Sequence, residues 1–102
     1  MITNFNSNST IKVSGGSTYY GNGSPITIFT TAANEYAILT ASCSAALSLS
    51  ANPSLKINSS PISSAANTAI TIYVPPSSSV VFDGNSGAAF LGASWVKFIN
   101  SP

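Results

Sequence analysis

Residues 69–82 read Ala69-Ile-Thr-Ile-Tyr-Val-Pro-Pro-Ser-Ser-Ser-Val-Val-Phe82, two short apolar runs joined by prolines and serines. β-Branched and aromatic residues dominate both runs, and strands favour such residues because their side chains pack well on a pleated surface. The prolines and serines between the runs favour a turn. This stretch therefore predicts two antiparallel strands joined by a short connection.

Similar runs recur along the chain, separated by Gly, Pro, Asn and Ser. They lie at residues 10–13, 26–31, 36–41, 46–50, 54–58, 88–91 and 94–99. No stretch shows a sustained helical period, and a sheet with one apolar face must bury that face on another sheet. The pattern predicts an all-β fold, namely a jelly-roll or immunoglobulin-like β-sandwich of about eight short antiparallel strands with little helix.

The length of 102 residues is typical of one domain. Residues 1–9 are polar and lack a period, so we expect an extended N-terminal arm followed by a single β-sandwich domain over residues 10–102. Tight-turn signals lie at Asn22-Gly23 and Asn52-Pro53. Alternate strand positions supply one apolar set large enough for a sandwich core. Its members are Ile11, Val13, Ile26, Ile28, Leu47, Leu49, Leu55, Ile57, Ile70, Ile72, Val74, Val80, Phe82, Val96 and Phe98.

Charged residues are scarce. They make up 5% of the chain, whereas about a quarter is usual in globular domains. The charged residues are Lys12, Glu35, Lys56, Asp83 and Lys97. A surface built from hydroxyl and amide groups loses its water at lower cost than an ionic one, so it suits permanent contact with other subunits. A monomer with a neutral surface is the alternative.

The same composition argues against several classes of function. The chain has no Arg and only scattered Lys, which disfavours nucleic-acid binding. We expect a protein made in a cytoplasm and without membrane contact, because no secretion signal or spanning run is visible. There is no His and only one cysteine, Cys43, so we expect no metal, no cofactor, no disulfide and no enzymatic activity. Cys43 is expected to be a small buried residue.

The two carboxylates, Glu35 and Asp83, are the remaining candidates for acid–base chemistry. A glycosidase would need both at one sugar ring. Each instead stands where turn chemistry favours it, at the entry to or exit from a predicted strand. The segment 83–87 also lacks the further carboxylates that calcium requires.

A second apolar set falls out of phase with the predicted core, and exposing several large side chains to water would forgo much hydrophobic free energy. This set is predicted to form a subunit interface and consists of Phe29, Tyr73, Val81, Trp95 and Ile99. Two alternatives stay open for the last strand. It is covered on both faces within one chain, or its register is shifted by one residue, which would exchange its faces.

Two adjacent tyrosines, Tyr19 and Tyr20, lie in a glycine-rich segment that predicts a turn. Exposed aromatic rings can stack on sugar rings or on a protein partner. They are therefore the candidates for ligand or partner contact, and packing of the loop on its own core is the alternative.

Three stretches resemble small virion proteins of tailed bacteriophages. They are Pro25-Ile-Thr-Ile-Phe-Thr-Thr-Ala-Ala-Asn-Glu-Tyr-Ala-Ile-Leu-Thr-Ala41, Leu55-Lys-Ile-Asn-Ser-Ser-Pro-Ile62 and Ile72-Tyr-Val-Pro-Pro-Ser-Ser-Ser-Val-Val-Phe82. The likeness is one of pattern over residues 25–99, and it departs at 31–34, where a Pro-Ala-Gly turn would be usual. It implies a β-sandwich that decorates capsids or forms tail, collar or fibre parts, commonly as a trimer or a larger ring, with no catalytic residue.

Composition and resemblance together predict a structural virion protein, assembled in the host cytoplasm. It would self-associate, as a homotrimer by resemblance, and clamp neighbouring subunits of the major capsid protein or of a tail, with a capsid decoration (cement) role favoured. The alternative is a carbohydrate- or receptor-binding tip of a phage tail or fibre.

Overall fold

The computed structural model describes residues 9–84 and 89–100, and these form eight strands without a helix. The strands are β1 (Ser9–Tyr20), β2 (Ile26–Thr30), β3 (Glu35–Cys43), β4 (Ser54–Ile57), β5 (Ser60–Ile62), β6 (Ile70–Val74), β7 (Ser79–Asp83) and β8 (Phe90–Asn100). The predicted N-terminal arm lies outside the described residues, except for Ser9, which begins β1.

The strands form two four-stranded antiparallel sheets. Sheet A has the order β1-β8-β3-β6, and sheet B has the order β2-β7-β4-β5. The first strand therefore pairs with the eighth, the second with the seventh, the third with the sixth and the fourth with the fifth, as in one long hairpin rolled over on itself. This is the arrangement of a jelly roll. The predicted all-β sandwich is confirmed, and of the two named variants the chain adopts the jelly roll.

Some strand boundaries differ from those expected. β1 continues through Gly15 and Gly16 to Tyr20, where the glycines predicted a turn. The expected strand at 46–50 is reduced to a single bridge between Leu47 and Ser64. β5 forms within a predicted loop, and β8 is one strand in place of two. The turn signal at Asn22-Gly23 is confirmed, because Gly23 has a φ of 85° and the Asn22 side chain accepts the amide proton of Ser24.

The core lies between the sheets, and sheet A contributes small alanines to it as well as large residues. In β3, Ala37, Leu39 and Ala41 face inward and are almost completely buried. Leu55 and Phe82 of sheet B are fully buried opposite them. Small residues facing large ones allow the two layers to interdigitate at interior packing density. Cys43 is 1% exposed, as expected of a small buried residue.

Most of the predicted core is confirmed. Ile28, Leu47, Leu55, Val74, Val80 and Phe82 are buried, and Ile26, Ile57, Ile70 and Ile72 pack against them. Leu49 was wrongly included, because it lies outside any strand and is 60% exposed. The side chains of Ile11 and Val13 lie outside the described part of the structure.

A β-bulge in β2 reverses the predicted direction of Phe29. The pairing of β2 with β7 shifts between Thr27 and Phe29, so Ile28 and Phe29 are both buried although they are consecutive. The ring of Phe29 stacks on Trp95 with 4.8 Å between centroids, and the Lys97 Nζ lies 5.7 Å from its centroid. Phe29 is 7% exposed, so the prediction that it faces away from the core is wrong.

The faces of β8 are also exchanged relative to the prediction. Leu39 and Glu35 of β3 face inward, and their partners in β8 are Trp95 and Ile99, which therefore share that face. Val96 and Phe98 lie on the opposite face, yet Phe98 is buried as predicted, at 6% exposure, and stacks on Tyr36. The exchange of faces matches the alternative in which the register of the last strand is shifted by one residue. Both faces of β8 carry bulky apolar residues, so alternation alone could not choose between them.

Buried hydrogen bonds join the β2–β3 and β6–β7 loops. The Thr31 hydroxyl donates to the Pro75 carbonyl at 2.7 Å and accepts from the Ser78 amide at 2.9 Å. The Thr31 amide also donates to the Ser78 carbonyl at 2.9 Å. A buried hydroxyl that both donates and accepts offsets its loss of water, and it fixes these loops at one end of the sandwich.

The two-residue turn between β4 and β5 gives a stability prediction. Asn58 and Ser59 have φ values of 51° and 70°, the left-handed values that type I′ hairpins require. A serine is strained there and a glycine is not, so we expect Ser59→Gly to raise the free energy of unfolding by about 0.5 to 1 kcal/mol. Chemical denaturation measures this change. A lower midpoint for Ser59→Gly would contradict the turn geometry, and Ser60→Gly, one residue on, is the control that should not stabilise.

Candidate interaction surface

One face of the sandwich carries no charge among the residues whose side chains the structure describes, which leaves out residues 9–13 and 100. It is the outer face of sheet A, the side turned away from sheet B. Strand pairing places on it Ser14, Gly16, Thr18, Tyr20, Phe90, Gly92, Ser94, Val96, Phe98, Tyr36, Ile38, Thr40, Ser42, Thr71 and Tyr73. The outer face of sheet B differs, since Lys56 and Asp83 lie on it. Glu35 and Lys97 are on the inner side of sheet A.

Most of the exposed apolar bulk of the described chain is on this same face. Among the described residues, five large hydrophobic side chains are exposed, and four of them lie on the outer face of sheet A. They are Tyr20 at 66%, Tyr73 at 57%, Phe90 at 49% and Ile38 at 37% exposure. The fifth is Leu49. Single exposed apolar residues are common, whereas a concentration on one uncharged face is typical of an interaction site.

The aromatic rings form two groups at opposite ends of β8. At one end Tyr36 stacks on Phe98, with 5.0 Å between centroids, and lies 5.8 Å from Tyr73. At the other end Tyr20 and Phe90 are 5.8 Å apart. The strands hold each pair in place, because Tyr36 is opposite Phe98 in the pairing of β3 with β8, and Tyr20 is opposite Phe90 in that of β1 with β8. Each of these two ring pairs therefore joins residues directly opposite each other on neighbouring strands.

A shallow groove of about 450 Å³ lies on this face. Ser14, Ile38, Thr40, Ser94, Val96 and Phe98 contribute to its lining. Small residues at Thr40 and Ser94 lower the surface, and apolar atoms supply most of the lining. An apolar side chain of another protein would fill such a groove while leaving few polar groups without partners.

The predicted interface residues lie on three different surfaces. Phe29, Trp95 and Ile99 are on the inner side of the sheets. Val81 is on the outer face of sheet B, half-buried and paired with Thr27 and Lys56. Of the predicted set, Tyr73 alone belongs to the exposed outer face of sheet A. Its direction away from the core is confirmed, and its role as an interface residue stays a prediction.

The two predicted contact tyrosines face opposite ways because they are consecutive residues of β1. Tyr19 packs against the core, where burial raises the pKa of its phenol. Tyr20 is exposed on the outer face of sheet A. Neither lies in the turn predicted for them, and the structure retains Tyr20 as a candidate contact.

Two exposed residues of this face, Ile38 and Phe90, were not among those predicted from the sequence. The signal for Ile38 was available, since Ala37, Leu39 and Ala41 alternate with Tyr36, Ile38 and Thr40. Because alanines are small, the sequence alone does not identify their side of β3 as the buried face. In the structure, large residues of sheet B fill the space opposite them. For Phe90, direction depends on the pairing partner of β8, which local sequence does not reveal.

The two carboxylates, Glu35 and Asp83, lie in different sheets of the sandwich. Glu35 is 3% exposed, and its Oε1 accepts the amide proton of Ala32 at 2.8 Å, which closes the β2–β3 loop. Asp83 is in sheet B, at the other end of β2. No cluster of three or more potential metal ligands occurs within residues 9–84 and 89–100. Over the same ranges, no helix of sufficient length and hydropathy to cross a membrane is present.

The fold and the surface together define a small jelly roll with one aromatic-rich face, on which no described side chain is charged. Comparison with protein-family models, curated proteins and solved structures finds no match to the chain.

Proposed function

We propose that this protein is a non-enzymatic structural component of a virus particle, which associates with copies of itself and holds neighbouring capsid or tail subunits together. The observation that carries the proposal is the outer face of sheet A. This face combines exposed Tyr20, Ile38, Tyr73 and Phe90 with a groove and with no described charge.

The size of this face fits a contact between proteins. Four strands at their usual spacing, about nine residues long, cover roughly 500 to 600 Å². That area approaches what each partner buries in a specific protein interface, which is about 800 Å². Aromatic residues are enriched at the centres of such interfaces and charged residues are depleted there. The composition of the face therefore supports protein contact over a role as a solvated surface.

The assignment to a virion has two supports. Jelly rolls are frequent among viral capsid domains, although the fold also occurs in lectins and enzymes and does not define function. The pattern at residues 25–99 resembles small virion proteins of tailed phages. That resemblance favours a homotrimer attached to capsid or tail subunits. The small size of the chain favours a cement role on the major capsid protein, and its composition disfavours nucleic-acid, membrane and cofactor binding.

A carbohydrate- or receptor-binding tip is the second candidate. It is favoured by the exposed rings of Tyr20 and Tyr73 at the two ends of a face whose centre carries the hydroxyls of Thr40 and Ser94. Aromatic rings stack on the apolar faces of sugars, and hydroxyls bind sugar oxygens.

One experiment separates the two candidates. Purified protein is mixed with capsid shells and, separately, with tails assembled without it, and binding and heat resistance are measured, while the free protein is applied to a glycan array. Stoichiometric binding that raises the temperature of shell disruption supports the structural role. Glycan binding without any shell or tail binding would replace it by the receptor-tip role.

A further inference from the structure

The four edge strands of the two sheets differ in how well they are protected against pairing. β5 is three residues long and contains Pro61, which has no amide proton to donate. β6 is five residues long and is followed by Pro75 and Pro76. β2 follows Pro25 and contains the bulge after Thr27. Short length, prolines and bulges are the usual means by which proteins prevent edge-to-edge association.

The edge strand β1 lacks these features over its second half. It is twelve residues long, and its register with β8 is regular from Val13 to Tyr20. The seven residues Ser14–Tyr20 contain no charge and no proline, and they extend about 23 Å. Within the described ranges, no strand pairs with the other side of β1. Its outward amide and carbonyl groups therefore form a ready template for another strand.

We propose that this edge pairs with β1 of a second copy, antiparallel about a two-fold axis. The inference rests on the self-association in the proposed function and names the strand that mediates it. A two-fold axis brings the segment Ser14–Tyr20 against itself, and an uncharged segment meets no like charge there. Gly16 has no side chain, and the neighbouring Ser17 and Thr18 are small and exposed, so two copies can approach closely.

Such pairing would also enlarge the outer face of sheet A. Antiparallel strands related by a two-fold axis share one sheet, so the outer faces of both copies lie on the same side. Two four-stranded sheets become one sheet of eight strands with a continuous aromatic face. Copies meet through the edge, and the face stays available for capsid or tail subunits. The assembly unit is then a dimer, in place of the trimer that the resemblance favours.

The first test introduces charge at the edge. Ser17→Lys/Thr18→Lys changes two exposed residues, so the fold should be unaffected, while like charges meet across the axis. In sedimentation equilibrium we expect the wild type to dimerise and the double variant to show a Kd at least roughly tenfold higher. The matched control is Thr27→Lys/Thr30→Lys, two exposed residues of the protected edge β2. Thermal unfolding of all three proteins verifies folding.

The second test locates the axis by disulfide formation. Single variants Ser14→Cys, Ser17→Cys and Thr18→Cys are oxidised at dimer-forming concentration, and the buried Cys43 of the wild type provides the background. In an antiparallel pair only residues close to the axis face their own counterparts. We therefore expect one of these positions to crosslink strongly, and Thr27→Cys not to.

The outcomes distinguish this inference from the proposed function. A wild type that stays monomeric yet binds shells overturns edge pairing and leaves the structural role standing. The same holds if Ser17→Lys/Thr18→Lys dimerises as the wild type does. Loss of shell binding in Tyr73→Ser/Phe90→Ser with an intact dimer supports both proposals together.

Discussion

Replacing Tyr73 and Phe90 together by serine is expected to reduce binding to shells by roughly 50-fold or more while the subunit stays folded. Both rings are about half exposed, at 57% and 49%, so each leaves about 100 Å² for a partner to bury. At about 25 cal/mol per Å² each ring contributes about 2.5 kcal/mol, and the two contribute about 5 kcal/mol. Even half of that sum corresponds to about a 60-fold change in Kd.

A matched control for this double variant is Leu49→Ser. Leu49 is 60% exposed but lies outside both sheets, so its removal takes away about as much apolar area as one of the two rings, from another part of the surface. Titration of each variant against shells gives the Kd values, and chemical denaturation gives the stabilities. Unchanged binding by Tyr73→Ser/Phe90→Ser, or an equal loss in Leu49→Ser, would show that the outer face of sheet A is not the contact surface.

Trp95→Ser is expected to destabilise the subunit itself, by about 2 to 4 kcal/mol. The indole stacks on the buried Phe29 at 4.8 Å between the two sheets. It also lies over Gly15, where a Cβ atom would come within 2.7 Å of the ring. Serine would lose the stack and leave a cavity beside Phe29. The indole is half-buried, so we expect less than the full range of 3 to 5 kcal/mol that removing a buried aromatic usually costs.

The neighbouring residue provides the control for the register of β8. Val96 lies on the outer face of sheet A, so Val96→Ser should cost less than about 1 kcal/mol in unfolding free energy. Trp95→Phe should retain most of the stack and lose less than Trp95→Ser. A stable Trp95→Ser variant beside a strongly destabilised Val96→Ser would mean that the two faces of β8 are assigned the wrong way round.

Strand positions were predictable where one face of a strand is polar. β4, β6 and β7 lie almost where β-branched runs bounded by prolines and serines placed them. The first predicted strand ended at Val13, because Gly15 and Gly16 are typical of turns. In the structure, Gly15 lies within β1 under the Trp95 ring. Pairing with eleven residues of β8 outweighs the weak strand preference of glycine.

The candidate surface was less predictable than the fold. Two long-range features decide which side chains point outward, and neither is visible locally. The bulge in β2 turns Phe29 inward, and the pairing with β3 fixes the direction of Trp95. The general expectation of an apolar outer surface matches the exposed residues of sheet A, but most of the residues named for it lie elsewhere. Tyr20 and Tyr73 are the two that were predicted and are exposed there.

Hydroxyl-radical footprinting of the free subunit and of the assembled particle tests most directly whether a partner covers the outer face of sheet A. We predict that Tyr73 and Phe90 are oxidised readily in the free subunit and become protected on assembly, while the equally exposed Leu49 keeps its reactivity. Equal oxidation of Tyr73 and Phe90 in both states would show that the outer face of sheet A is not buried on assembly.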